Sequence, residues 1–496
     1  MVNKRAIVIG SGVGGLATAI RLAHSGWDVS VYEKNAHVGG KVHSKTINGY
    51  RFDMGPSVFT EPNLIVELLD LAPKAEPFIY QELPESGRYF FEDGTSLIIL
   101  SGTNGTIKVF EQELNEDKLK TKQYLSRLKK NYTVLYPVFI ASSLHRLKHW
   151  CNSSVLPALK EIPFLGLTNT MNGFSKRYFK NPKTIQILNR YATYNGSNPY
   201  KTPGLLSIIG NLELNIGSFF PKGGMVSISE RLAATAKSMG VQIYCNSPVT
   251  EILSRDGKVS GVRVGNESLE ADLVVSNADI HYTYQRLMPN INGPKKILSQ
   301  EKSSSAVVFY WGIKKSFPEL GVHNVLFSAE YEAEFKAIFN TKTMFNDPSI
   351  YIHISSKVEK DDAPEACENW FVMINAPVDE GQDWEAMVKK LRQQVIEKIN
   401  RNLKINIAEF IEVEHVNSPV SLNLLYNSIG GSIYGNSSNS IWSAFYRHPN
   451  HCPDLKGLYF AGVTVHPGGG IPLALNGAKI VERMVREDFN LPVEKS

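Results

Sequence analysis

The chain has 496 residues, 43% of them apolar, which allows two or three subdomains around a large buried interior and excludes a fibre or a disordered tail. Its formal net charge of +5 is modest for this length, and no nucleic-acid partner is expected. Cys151, Cys245, Cys367 and Cys452 lie far apart with no CxxC pair, which suits a reducing compartment without disulfides, and no metal site is expected, His145 and His149 being embedded in basic sequence.

In chain order, a short basic stretch leads into an apolar run, Ala6–Ile9, leaving no room for a secretory segment. The run ends in glycines, an alanine- and leucine-rich segment continues to Ala23, Gly26 terminates it, and a second run covers Val29–Tyr32. This reads as strand, tight turn, helix, strand. Between Lys118 and Trp150 no acidic residue occurs, while Lys118, Lys120, Lys122, Arg127, Lys129, Lys130, Arg146 and Lys148 alternate with apolar and aromatic side chains. That pattern suits an anionic membrane surface, whereas no window is apolar enough to span a bilayer. From about Glu111 to Phe219 the chain is expected to form a helical insertion broken by prolines. An amphipathic helix follows at Val226–Ser238, with strands at Val241–Tyr244, Val259–Val264 after an Asp256-Gly257 turn, and Leu273–Val275. Residues 305–313, 349–354 and 370–376 have the composition of strands in a second sheet, and Asp383–Ile399 is an intervening helix. The acidic run Asp361–Glu365 contains a proline and reads as a solvated turn.

Gly10-Ser-Gly12-Val-Gly-Gly15 fits GxGxxG, with glycines where a chain turns tightly, approaches a pyrophosphate, and packs helix on strand. A lone match is weak, but this one follows a strand, opens a helix whose amides favour anions, and precedes Glu33 at the end of the second strand. A carboxylate there binds ribose hydroxyls and disfavours a 2′-phosphate, which argues against NADP. Gly39-Gly40-Lys41 and Phe52-Asp-Met-Gly55-Pro56 come next. Together they resemble the flavoprotein superfamily of amine oxidases and carotenoid desaturases, in which a glycine pair lies beside the flavin ribityl chain. Lys41 replaces the usual arginine, keeping the charge and losing the planar fork.

Leu458-Tyr-Phe-Ala-Gly462 and His466-Pro-Gly-Gly-Gly470-Ile471-Pro472 resemble the carboxy-terminal signature of the carotenoid desaturases, so the resemblance covers the whole chain. Pro472 suits the first turn of a helix whose positive end would favour charge accumulating on a reduced flavin. Gly430–Gly435 and Trp442–Arg447 are similar to the carotenoid 3,4-desaturases, with Tyr434, Trp442 and Phe445 expected to line an apolar tunnel. The resemblance implies an α/β fold: a Rossmann-like FAD-binding domain (1–70 with 220–285 and 452–496), a mixed-sheet substrate domain (71–110 with 286–451), and a helical membrane-associated subdomain (111–219). It places Lys34, Val249 and Ile471 beside FAD with the residues above, and leaves His466 as a proton-carrier candidate against a loop-fixing role. The implied activity is desaturation at C3–C4 of an acyclic, 1-hydroxylated carotenoid. Oxygen or a quinone would be the electron acceptor, and the location the cytoplasmic side of a membrane, peripherally. A hydroxyl buried in the tunnel requires at least one hydroxyl or amide partner, unnamed at this level. A phytoene or other acyclic carotenoid desaturase and a non-catalytic prenyl-lipid carrier remain as alternatives.

Overall fold

The computed structural model describes residues 4–73, 76–150 and 153–492. Cys151 lies outside them. Strand Arg5–Ile9 is central in a five-stranded parallel sheet ordered 458–460, 273–276, 5–9, 28–32, 242–244. Consecutive apolar residues of such a buried strand serve both faces, which is why Ala6, Ile7 and Val8 are all buried. Helix Val13–His24 starts directly after the glycine turn and packs through Leu16 and Ile20 against helices Val226–Ser238 and Ile471–Asp488, where Leu232, Val481 and Met484 are buried. Gly26 ends the first helix at φ +84°, a conformation that glycine adopts without a Cβ clash.

A seven-stranded mixed sheet is ordered 411–417, 305–313, 368–376, 350–354, 323–326, 85–90, 96–100, with 323–326 and 85–90 running parallel and every other neighbouring pair antiparallel. Its strands alternate with period two. Val307, Phe309, Trp370, Val372 and Ile352 pack on helix Trp384–Leu403, while Ala306, Val308, Tyr310, Phe371, Met373 and Tyr351 face a cavity between the two sheets.

A helical layer closes the cavity on a third side. Helix Lys118–Leu135 buries Tyr124, Leu125 and Leu128 in a cluster with Phe110, Phe174, Phe179 and Tyr191. The layer begins with helix Gly102–Gln112, ahead of the expected Glu111 start. Gly102 and Gly105 hide it from propensity reading, and burial of Thr106, Ile107 and Phe110 holds it in place. The acidic run is also different from expectation. Asp362 is buried, 4% exposed, and receives a bidentate bond from Arg51 at 2.5 and 2.8 Å. Among the described residues no helix is long and apolar enough to cross a membrane.

Candidate functional site

The glycine loop joins the parallel sheet to the cavity, which has a volume of about 590 Å³. Gly10 takes φ +91° and its amide donates to Tyr32 O at 2.8 Å, drawing the two strand ends together. A Cβ on Gly12 would stand 2.7 Å from Asn277 Oδ1, and one on Gly15 would collide with Gly10 O. Gly12 and Gly10 line the cavity, and Gly15 is the close packing point of helix on strand. Glu33 is 4% exposed and lines the cavity. Its Oε2 accepts from Ser11 N and Oγ at 2.8 and 2.9 Å and its Oε1 from Asn35 N at 2.9 Å, so the carboxylate is held rigidly with one lone pair still free, on Oε1.

The second glycine pair lies on the first loop. Gly39 bridges Gly12, its amide donates to Ser11 O at 2.8 Å, and a Cβ on Gly40 would be 3.3 Å from Gly12 Cα. Gly55, beside Pro56 in the wall, leaves no room for a Cβ against Lys41 O. The Lys41 ammonium donates to Ile433 O at 2.8 Å, and burial lowers its pKa to about 8 against the opposing pull of Asp279. Lys34 lines the same cavity, but its ammonium is engaged by Leu424 O and Asn427 Oδ1 at 3.0 and 3.1 Å. Val249, at the start of strand Val249–Arg255, lines the wall. Gly462, Gly470, Ile471 and Pro472 complete the wall, the last three opening helix Ile471–Asp488 toward the cavity.

Three groups escaped sequence reading. Asn277, one residue beyond strand Leu273–Ser276, stands against Gly10, Gly12, Gly14 and Gly462 and donates to Ala461 O at 3.1 Å. Asp279 is buried in the wall; its Oδ1 caps the helix that follows, and its Oδ2 has no hydrogen-bond partner. Burial raises its pKa. Arg447 is a buried guanidinium whose bonds go to Tyr434 O, Asn436 O and Ser438 Oγ, and no carboxylate among the described residues pairs with it. Burial lowers it to about 10. Asn277 and Asp279 are short, isolated polar residues with no spacing signal, and Arg447, although it ends the Trp442–Arg447 segment, has no role of its own at the level of sequence; each takes its meaning from contact.

Two expected residues lie elsewhere. His466 is not among the lining residues. It is buried, its Nε2 lies 2.8 Å from Ser142 O, and burial pushes its pKa down to about 3, an arrangement that fits the loop-fixing role, joining the glycine segment to the helical layer. Trp442 is 70% exposed, because the short helix Ile441–Phe445 is fixed by a Ser440–Ser443 capping box that leaves Trp442 in solvent. Tyr434 does line the cavity, half-buried between glycines. The side chain of Phe445 lies outside the described part of the chain.

The residues present fit FAD. A helix N-terminus and a glycine cradle in which Asn277 and Gly10 occupy the Cβ positions accept a pyrophosphate, and a fixed carboxylate stands at the strand end for a ribose. The orphaned Asp279 Oδ2 leaves an acceptor in the wall that a ligand hydroxyl would satisfy.

A family model described as flavin containing amine oxidoreductase matches residues 13–481. The chain is 46% identical, over 97% of its length and 99% of the relative's, to a 1-hydroxycarotenoid 3,4-desaturase of Flavobacterium sp.. It is 32% identical to a phytoene desaturase of Neurospora crassa, over 98% of this chain and 85% of that one. A solved oxidoreductase from Methanosarcina mazei, 16% identical, shares the fold with a TM-score of 0.64 over 97% of this chain and 100% of its own. The glycine cradle, the fixed carboxylate at the strand end and the cavity closed by the Gly462–Pro472 segment thus belong to a recognised architecture, and the chain is a member of the flavin containing amine oxidoreductase family, on the branch that holds the carotenoid desaturases.

Proposed function

We propose that the protein is an FAD-dependent desaturase that introduces a C3–C4 double bond into an acyclic, 1-hydroxylated carotenoid. The observation that carries this reading is the 46% identity, end to end, to a relative of that activity. A cavity running from the glycine cradle onto the apolar sheet face supports it. When bound, FAD supplies the hydride acceptor for one of the two hydrogens removed. Gly10, Gly12, Gly39 and Gly40 admit its backbone, Glu33 and Asp279 accept from its hydroxyls, and Lys41 and Arg447 bring positive charge into the wall. Val308, Phe371 and Met373 exclude water and hold the polyene. No side chain is assigned as base, since the product's added conjugation assists loss of the proton. Oxygen or a quinone reoxidises the cofactor in this reading.

The division into a discontinuous FAD domain, a substrate domain and a helical membrane-facing subdomain belongs to the same proposal. The helical layer supports it by exposed apolar side chains rather than by charge. Leu156, Leu159, Ile162 and Phe164 are 44 to 60% exposed along one short segment. Five of the eight basic residues between Lys118 and Trp150 have carboxylate partners in the fold: Lys118 with Glu111, Arg127 and Lys130 with Glu161, and Arg146 and Lys148 with Glu487. Peripheral attachment therefore rests on this ridge.

Pigment analysis tests the reaction. Purified protein, FAD and liposomes are incubated with a 1-hydroxy carotenoid, its deoxy counterpart or phytoene, and the products are separated by chromatography. The expected product is the 1-hydroxy carotenoid with one added double bond and a long-wavelength absorption shift. Faster turnover of phytoene overturns the substrate, and a colourless preparation without flavin absorption favours a carrier.

A further inference from the structure

Beyond the glycine loops the cavity wall is largely hydrocarbon and aromatic carbon, and among the polar groups that interrupt it, such as Arg190, Thr193 and Ser349, are two carboxamides. Asn375 occupies the last cavity-facing position of strand Glu368–Ala376, after Phe371 and Met373 in the period-two alternation, where the pattern calls for another apolar residue. Asn195 ends the helical turn Arg190–Asn195, lines the cavity, and is 8% exposed. The Oδ1 of each is buried without a donor, and among the described residues no side-chain hydrogen bond is made by either carboxamide. Buried amide oxygens are normally satisfied; among the described residues Asn131, Asn189 and Asn450 also have an unpaired Oδ1, but of the five only Asn195 and Asn375 line the cavity, where a ligand can supply the partner.

The two carboxamides belong to one stretch of wall. Asn375 pairs across the strands with Ala306, and Ser304, two residues earlier, donates its amide to Gly196 O, the residue after Asn195. The ring of Tyr434 lies between Gly196 and Gly469: a Cβ on Gly196 would be 3.0 Å from Tyr434 Cδ2, and one on Gly469 would overlap the ring. The carboxamides therefore stand beside the glycine segment that opens helix Ile471–Asp488, rather than at a remote end of the tunnel.

We infer that Asn195 and Asn375 receive the substrate's end-group hydroxyl and thereby set the specificity of the reaction; the inference rests on the substrate reading above. A hydroxyl both gives and accepts, so it can donate to the Oδ1 of one carboxamide and accept from the NH2 of the other. A methyl in its place leaves both amides unpaired, and sites built around a substrate hydroxyl reject the analogue lacking it strongly. Position agrees with the chemistry. In a 1-hydroxy end group only C2 separates the oxygen-bearing carbon from C3, so a grip on the oxygen fixes the reacting carbons within a few bond lengths.

The test is a competition between a 1-hydroxy carotenoid and its deoxy counterpart, run on the FAD-loaded wild type and on Asn195→Leu, Asn375→Leu and Asn375→Ser, with flavin occupancy and circular dichroism recorded for each. The wild type is expected to favour the hydroxylated substrate in kcat/KM. Each leucine variant should lower that preference by about tenfold, through the hydroxylated substrate alone, while deoxy turnover holds or rises. Asn375→Ser, which restores a hydroxyl at the site, should keep part of the preference. Equal slowing of both substrates, or a wild-type preference in both leucine variants, overturns the inference while leaving the substrate reading intact. If a leucine variant fails to load flavin, the serine variant decides: a preference unchanged from wild type counts against the site, and a partial loss supports it. A wild type with no preference for the hydroxyl overturns the substrate reading itself.

Discussion

The two sheets meet the cavity in different ways. The five-stranded parallel sheet offers strand ends, so backbone atoms of Gly10, Gly12 and Gly39, with the short polar side chains Glu33, Asn277 and Asp279 just past the strands, form its contribution. The seven-stranded sheet offers a face, so side chains of Tyr310, Phe371, Met373 and Asn375, drawn from strands far apart in sequence, form its contribution. Recognition by strand ends condenses into a contiguous motif, whereas recognition by a face is dispersed at every second residue. In the proposed reading the strand ends are the cofactor half and the generic one, and the sheet face is the substrate half, where relatives sharing the fold can differ.

The sharpest break in this comparison comes from the charge pair behind the side-chain-built wall. Arg190 lines the cavity and donates to Glu213 Oε1 at 2.6 Å, Tyr194 Oη at 2.7 Å and Tyr89 Oη at 2.8 Å, with Glu213 1% exposed. Glu213→Ala would leave the guanidinium buried against phenols alone and is expected to cost about 3–5 kcal/mol. Chemical unfolding measures it, and a cost under about 1 kcal/mol would mean that the wall does not depend on the pair.

On the backbone side the expected loss is of ligand rather than of fold. Gly12→Val places a branched side chain where Asn277 Oδ1 lies 2.7 Å from the Cβ position and where a pyrophosphate must approach. FAD affinity should fall about 100-fold with circular dichroism unchanged. Wild-type flavin occupancy in the folded variant would remove the cradle from this loop.

The same contrast explains what was legible in sequence. Strand, turn and helix from Ala6 to Ala23, the helix Val226–Ser238 and the strand at 305–313 have local patterns, and the structure places them at Arg5–Ile9, Val13–His24, Val226–Ser238 and Ser305–Ile313. Strand Ile411–Asn417 was not legible because Glu412 and Glu414 interrupt its apolar character. Their reasons are distant: Tyr50 Oη donates to Glu412 at 2.8 Å and Trp311 Nε1 to Glu414 at 3.0 Å. Asn277, Asp279, Asn195 and Asn375 carry no signal for the same cause, since a lone amide or carboxylate reads as a turn residue until the fold buries it.

Both halves share buried histidines, which give the protein a common response to acid. Burial holds His353 and His448 at about 4, His466 at about 3, and His323 below its usual range. Each is neutral in the folded chain and takes a proton in the unfolded chain below about pH 6.5, so its stability contribution is complete above that pH and is lost as pH falls toward the folded value. Glu334, raised by burial to about 7, has the opposite sign, as do Glu61 and Asp279. These are three raised carboxyls against nine lowered imidazoles once His43, His145, His281, His415 and His451 are included. Stability should therefore decline from about pH 6.5 downward, with a slope of up to about 1.4 kcal/mol per pH unit for each histidine. His466→Gln keeps a donor for Ser142 O and removes one titration, so unfolding curves between pH 6.5 and 4 should become shallower while the pH dependence of turnover stays the same. A turnover profile altered by this variant would give His466 a part in the chemistry.

The smallest effect is expected within a single motif of the substrate half. Tyr434 and Trp442 are eight positions apart in a segment similar to the 3,4-desaturases, yet Tyr434 is wedged against Gly196 and Gly469 in the cavity wall and Trp442 is 70% exposed. The only ring contact of Trp442 among the described residues is with Tyr446, at 5.9 Å between centroids, and Tyr446 is itself exposed. Trp442→Ser removes neither core packing nor a cavity surface, so stability should stay within about 0.5 kcal/mol of wild type. Flavin absorbance and the hydroxy-to-deoxy preference in detergent should also be unchanged. Thermal melting and the competition assay check this together. A loss of preference in detergent, with no membrane present, would place Trp442 on the substrate's path after all and extend the recognition face from the sheet onto the helix Ile441–Phe445.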